Sequence, residues 1–171
     1  MKTLVLGLGN PLLGDDGVGW RIVEECATRI ADAPETEVDC FARGGLSLME
    51  RIIGYDRAIL IDAMNTGQAP VGTVACFELD DLHNPNVGHL ASAHDATLQT
   101  AMEMGRALGA RLPRNVTIVA IEAKDVYDFS EELSPAVAAA VPHAVEIVIE
   151  QLAIGSNSRA FEREGLLDAP D

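Results

Sequence analysis

The stretch LVLGLGNPLLGDDGVG, Leu4 to Gly19, decides how the rest of the chain is read. It opens inside an apolar run, Thr3 to Leu8, of the kind a strand buried on both faces presents. It closes with two adjacent acids, Asp15 and Asp16, set among glycines. A strand, a glycine-rich turn and a helix begin an α/β protein, and the turn is either a phosphate cradle or a carboxylate site. A dinucleotide loop needs a third glycine at position 12, where this chain has Leu12. A P-loop needs Lys and Ser or Thr after its last glycine, and here Gly14 is followed by Asp15-Asp16. Two carboxylates would repel a phosphate, so no nucleotide is expected. A plainer reading stays open at this point: solvated acids at a helix N-terminus, where the helix dipole favours Asp.

Working outward, Gly17 to Ile30 reads as a helix, with Ile22, Val23, Cys26, Ala27 and Ile30 on one stripe. Glu37 to Ala42 alternates as a second strand. Gly44-Gly45 turns the chain into a short helix, Leu46 to Ile53, which Gly54 ends. Ala58 to Asp62, AILID, is a third buried strand that stops on an aspartate, and Thr73 to Glu78 is a fourth. The link MNTGQAPVG between them is too short for a parallel crossover, so the fourth strand is expected to be antiparallel. Leu79 to Ala91 is polar and reads as a long surface loop carrying His83 and His89. Ser92 then caps a helix, with Asp95 completing a capping-box-like pair and Leu98, Ala101, Met102, Gly105 and Leu108 on its stripe. Val116 to Ile121 is a fifth strand, and Ser134-Pro135 opens a last helix through Leu152. The order predicts a three-layer α/β/α sandwich around a mostly parallel five-stranded sheet with one antiparallel strand. Residues 1–154 form a single domain, and 155–171 read as a mobile polar tail.

Composition narrows the function. The 171 residues carry 12 Lys+Arg against 27 Asp+Glu, a formal net charge of -15. Affinity for phosphate backbones rests on basic residues, so nucleic acid is not an expected partner. No apolar run approaches the roughly 20 residues of a membrane span, so no membrane is expected either. The N-terminal apolar run is interrupted by Gly7, Gly9, Asn10 and Pro11 and followed by acids, which suits a folded strand better than a leader. Cys26, Cys40 and Cys76 lie in apolar segments without C-x-x-C spacing, and reduced, buried thiols are expected. Together these features predict a cytoplasmic protein.

In open α/β sheets, functional groups gather beyond the carboxyl ends of the strands. This places Asp15 and Asp16 after the first strand, Asp62 at the end of the third and His94 in the first turn of the helix after the long loop. Two carboxylates and an imidazole form a three-ligand set for a divalent transition metal with open positions. Spacing alone does not choose among His83, His89 and His94, and Asp62 could instead cap a turn. His143, inside the last helix, reads as structural.

The pattern G-x-G-N-x-x-x-x-D-[DE]-x-x-G at Gly7 to Gly19 closely resembles the hydrogenase maturation endopeptidases. The resemblance continues through Gly44-Gly45, Asp62, Gly72-Thr73, Ser92-Ala93-His94 and Leu133-Ser134-Pro135, over about residues 1 to 152. It implies an aspartic-type endopeptidase that removes a C-terminal extension from the nickel-loaded precursor of a nickel-iron hydrogenase large subunit. The family's metal-contacting positions fall on Asp16, Asp62 and His94, and the nickel contacted is the substrate's own. Asp16 and Asp62 are the candidates for the catalytic base. Where many relatives carry Glu after the histidine, this chain has Asp95. The alternative is a non-proteolytic nickel-sensing or carrier module built on the same ligands. Oligomeric state does not follow from the resemblance.

Overall fold

The computed structural model describes residues 1–31, 33, 35–81, 97–124, 126–127 and 129–164, with side chains through residue 154. Five strands form one sheet: β1 (Thr3–Leu8), β2 (Thr36–Phe41), β3 (Arg57–Met64), β4 (Val74–Glu78) and β5 (Asn115–Glu122). Their order is β2-β1-β3-β5-β4, with β4 antiparallel to β5 and every other pair parallel. The expected sandwich is present, with the fourth strand reversed as the short β3–β4 link requires.

Among the described residues four α-helices, α1 (Val18–Ile30), α2 (Gly45–Arg51), α3 (Leu98–Ala107) and α4 (Pro135–Glu164), cover the sheet. Strand alternation divides the core in two. Val5, Ile59, Ile61, Val119 and Ile121 face α1 and α4, where Ile22, Cys26, Val141, Val145 and Val148 close over them. Leu4, Leu6, Leu60 and Ile118 face the other way, onto Leu48 of α2, Ile52 at its C-terminal cap, and Leu98 and Met102 of α3. β1, β3 and β5 are buried on both sides, which is why they read as continuous apolar runs.

Several boundaries differ from the sequence reading. β3 does not stop at Asp62 but continues to Met64, because Ala63 and Met64 still pair with Ile121 and Glu122 of β5. The helix carrying Leu98 begins after Thr97, whose extended backbone and hydroxyl, accepting from Thr100 N–H, form the cap in place of Ser92. Leu108, expected on that helix's stripe, sits at its end and is exposed. Leu79, expected in the surface loop, is buried beside α3 and forms a short 3₁₀ turn with Asp80 and Asp81, while 82–91 lie outside the described residues. The last helix runs to Glu164, ten residues into the stretch assigned to the tail, where Arg159, Ala160, Glu162, Arg163 and Glu164 are good helix formers.

α4 also corrects the expectation about apolar runs. Pro135–Ile154 is long and apolar enough, at a mean hydropathy of 1.5, to cross a membrane by length and composition. Its apolar stripe is nevertheless occupied within the fold: Val137, Val141, Ala144, Val145 and Val148 lie in the core against the sheet. Of the cysteines, only Cys26 is buried. Cys40 is half-buried and Cys76 exposed because they ride on the two edge strands, and all three are free thiols.

Candidate active site

The strand order reverses between β1 and β3, and the crevice at their carboxyl ends is where such sheets place their chemistry. The loop after β1 is shaped by local rules. Asn10 and Pro11 begin a turn closed by Leu13 N–H donating to the Asn10 carbonyl at 3.0 Å, and the Asn10 side chain accepts from Leu12 N–H at 3.0 Å. A four-residue 3₁₀ helix, Gly14–Gly17, then leads into α1. At about three residues per turn, adjacent side chains in such a helix point roughly 120° apart. Asp15 and Asp16 therefore diverge.

Asp15 is fully buried and points at the start of α4. Its carboxylate accepts from Ser134 N–H at 2.7 Å and from the Ser134 hydroxyl at 2.9 Å. It is a clamp between two segments 119 residues apart. Asp16 turns back over β1, accepting from Asn10 N–H at 2.6 Å. Gly9 makes this possible. It holds φ +105°, and a Cβ there would stand 1.9 Å from the Asp16 carbonyl oxygen. Gly19 in α1 does the matching work one turn later. A Cβ there would lie 2.5 Å from the carbonyl oxygens of Leu8 and Ile61, so only glycine lets α1 rest directly on β1 and β3.

Asp62 meets Asp16 from β3. It is 2% exposed, opposite Ala120 of β5, on the sheet face shared with Leu60 and Met64. Burial pushes its carboxyl well above the usual range, the Asp16 charge pushes it further, and the Ala63 backbone N–H offsets only part of this. Two carboxylates in a desolvated corner repel one another. The arrangement suits a shared proton or a cation, and carboxylate oxygens are fitting ligands for a divalent metal.

Thus Asp16 and Asp62 come together, while Asp15 faces away. His94, His83, His89, Ser92 and Asp95 lie outside the described residues. Among the described residues no third His, Cys, Asp or Glu completes a metal-holding group with the two aspartates. His143 is exposed on α4. The thiols are poor nucleophiles, since burial pushes both Cys26 and Cys40 up to about 11.

Two supports of this edge escape the sequence reading. Glu122, the last residue of β5, accepts from Thr66 N–H at 2.9 Å, Gly67 N–H at 2.8 Å and the Thr66 hydroxyl at 2.6 Å, folding the β3–β4 loop. Leu13 pairs with Ser130 as an isolated parallel bridge, with Ser130 N–H donating to the Leu12 carbonyl at 3.1 Å and Gly14 N–H to the Ser130 carbonyl at 2.7 Å. Neither leaves a local signal, because the partners are far apart in the chain.

Comparison with known proteins identifies the family. The chain matches the family described as hydrogenase maturation protease over residues 20–151. It is 27% identical over 170 residues to the hydrogenase expression/formation protein HupD of Thiocapsa roseopersicina, covering 99% of this chain and 76% of that protein. It is 27% identical to the hydrogenase 2 maturation protease of Escherichia coli, covering 98% of this chain and 100% of that one. The structure superposes on the hydrogenase maturating endopeptidase HybD of Escherichia coli with a TM-score of 0.70 and 25% identity, covering 91% of this chain and 94% of the other. The family match over most of its length, with the fold and relatives it shares, makes this chain a member of the hydrogenase maturation protease family, a family of endopeptidases.

Proposed function

We propose that the protein cleaves the C-terminal extension from the nickel-loaded precursor of a nickel-iron hydrogenase large subunit, as an aspartic-type endopeptidase. The observation that carries the chemistry is the pairing of Asp16 with a buried Asp62 whose carboxyl is held well above its usual range. Titratable pairs whose environments drive their proton affinities apart are suited to acid–base work on a water molecule. The same desolvated pair fits a cation carried in by the precursor. In this reading Asp16 and Asp62, with His94 as third ligand, contact the substrate's nickel, and Asp16 or Asp62 serves as the base that activates water. No nucleotide takes part. We place the reaction in the cytoplasm, which three free thiols support.

The test is the mass of a precursor incubated with the protein. A nickel-loaded precursor is expected to lose its C-terminal segment, and the same precursor without nickel to remain intact. Asp16→Asn, Asp62→Asn and His94→Ala are each expected to slow processing at least about tenfold, the lower end of what altering a metal's ligand environment costs. A precursor that is bound but keeps its length would replace the protease with a nickel-sensing or carrier module. Full processing by His94→Ala would remove the histidine from the recognition set.

A further inference from the structure

The edge that carries Asp16 and Asp62 is also where large apolar side chains are left uncovered. Nine large hydrophobic residues are exposed among the described residues. Four of them, Leu12, Val71, Tyr127 and Phe129, stand in connections at the carboxyl end of the parallel strands, and Leu46 lies in the first turn of α2, which follows β2. Leu12 is 50% exposed and Phe129 90% exposed. They are also held together. Leu12 precedes the bridge residue Leu13, Phe129 precedes its partner Ser130, and the Ser130 N–H donates to the Leu12 carbonyl. The Asp15–Ser134 clamp fastens the same two loops a few residues further on. Leu12 and Phe129 are therefore fixed in place, four residues from Asp16 on one side, yet neither is covered by the fold.

We infer that Leu12 and Phe129 form an apolar docking platform for the polypeptide substrate, receiving a large apolar side chain of the extended precursor segment next to the cleaved bond. The inference rests on the endopeptidase reading above. A chain whose peptide bond lies at Asp16 and Asp62 must run across this edge, and Leu12 belongs to the same loop as Asp16. Apolar anchors beside a site are the contacts that carry binding energy when a partner covers them. They touch no reacting group. Their removal should weaken binding and leave the chemical step alone.

The experiment measures initial processing rates over a range of nickel-loaded precursor concentrations for wild type and for Leu12→Ser/Phe129→Ser. KM is expected to rise about tenfold, the size of effect that truncating an interface anchor gives. The expected kcat stays within about twofold of wild type, since uniform binding is what has been lost. Leu12→Met/Phe129→Leu should restore KM. Leu108→Ser, which removes an exposed apolar residue before β5 at the opposite edge, should leave both constants unchanged. Phe129→Ser alone guards against a folding effect, because a side chain 90% exposed has little packing to lose. An unchanged KM in a double variant that melts like wild type would overturn the platform. So would a fall in kcat at constant KM, which would mean that the loops act through the geometry of the aspartates. If wild type itself leaves the precursor intact, the proteolytic reading fails first and the platform falls with it; if wild type cuts and the variants cut equally well, only the platform is lost.

Discussion

Asp15 and Asp16 are neighbours in the chain with opposite tasks, and the 3₁₀ turn that separates their directions also separates their mutational consequences. Asp15→Ala removes both acceptors from Ser134, whose N–H opens α4. Leaving a partly buried donor unpaired costs about 1–3 kcal/mol, so an unfolding free energy lower by that much is expected from urea titration. Asp15→Asn can still accept from Ser134 N–H and should lose far less. Asp62→Asn should do the reverse of Asp15→Ala. Burial and the Asp16 charge raise the folded carboxyl above its unfolded value, so Asp62 binds its proton more tightly folded than unfolded. Its contribution to stability is complete below the unfolded pKa and is lost as pH rises toward the folded one. At neutral pH the unfolded chain gains more than the folded one from ionising this carboxyl, a loss of stability that a neutral isostere does not suffer. The metal-free Asp62→Asn variant is therefore expected to melt above wild type at pH 7, and the gap should shrink as pH falls toward about 4, where the unfolded carboxylate also protonates. A variant that melts below wild type at neutral pH would contradict this assignment.

At the scale of elements, the site depends on how closely α1 approaches the sheet. Gly19→Ala would drive a methyl group to 2.5 Å from two backbone carbonyl oxygens, which no side-chain rearrangement relieves. Overpacking of this kind costs about 1–3 kcal/mol and sometimes more, and moving α1 also moves the turn that carries Asp16. Thermal melts and processing rates should therefore fall together, whereas Thr97→Ala, which removes only the α3 cap, should cost about 1 kcal/mol. The sequence made most elements legible because each is bounded by a local rule: continuous apolar strands for the two-sided core, Gly44-Gly45 to turn the chain into α2, Pro135 to open α4. It misplaced boundaries where tertiary pairing decides them. AILID looks finished at Asp62, but Met64 still finds Glu122 across the sheet. Ser92 with Asp95 has the composition of a helix cap, yet the helix on Leu98 starts from Thr97. The cysteines sit in apolar segments, but whether a strand lies at the centre or the edge of the sheet is set by strand order, which local pattern does not carry.

For the molecule as a whole, topology rather than motif brings Asp16 to Asp62: β1 and β3 are sheet neighbours although β2 separates them in sequence. That much of the site was legible once each aspartate was placed at a strand's carboxyl end. The Asp15–Ser134 clamp and the Glu122 loop anchor were not, because they join residues whose proximity only the finished fold creates. Charge is the other property of the whole molecule. With 27 acids against 12 bases, pairing every base still leaves fifteen acids over. The ion pairs Arg29–Glu146, Arg111–Asp56 and Arg51 with Glu37 and Asp39 involve exposed acids, a class of pair that contributes about 0–1 kcal/mol each. A chain of this length folds to a radius of gyration of about 15 Å. The Debye length is about 30 Å at 0.01 M salt and about 8 Å at 0.15 M, so at the lower concentration the excess acids repel across the whole domain. At the higher one only near neighbours do. Net repulsion should outweigh the weakened pairs, and the melting temperature is expected to rise as sodium chloride is raised between those limits at pH 7. A melting temperature that falls over that range would show that the surface pairs, not the fifteen surplus acids, dominate the electrostatics of this fold.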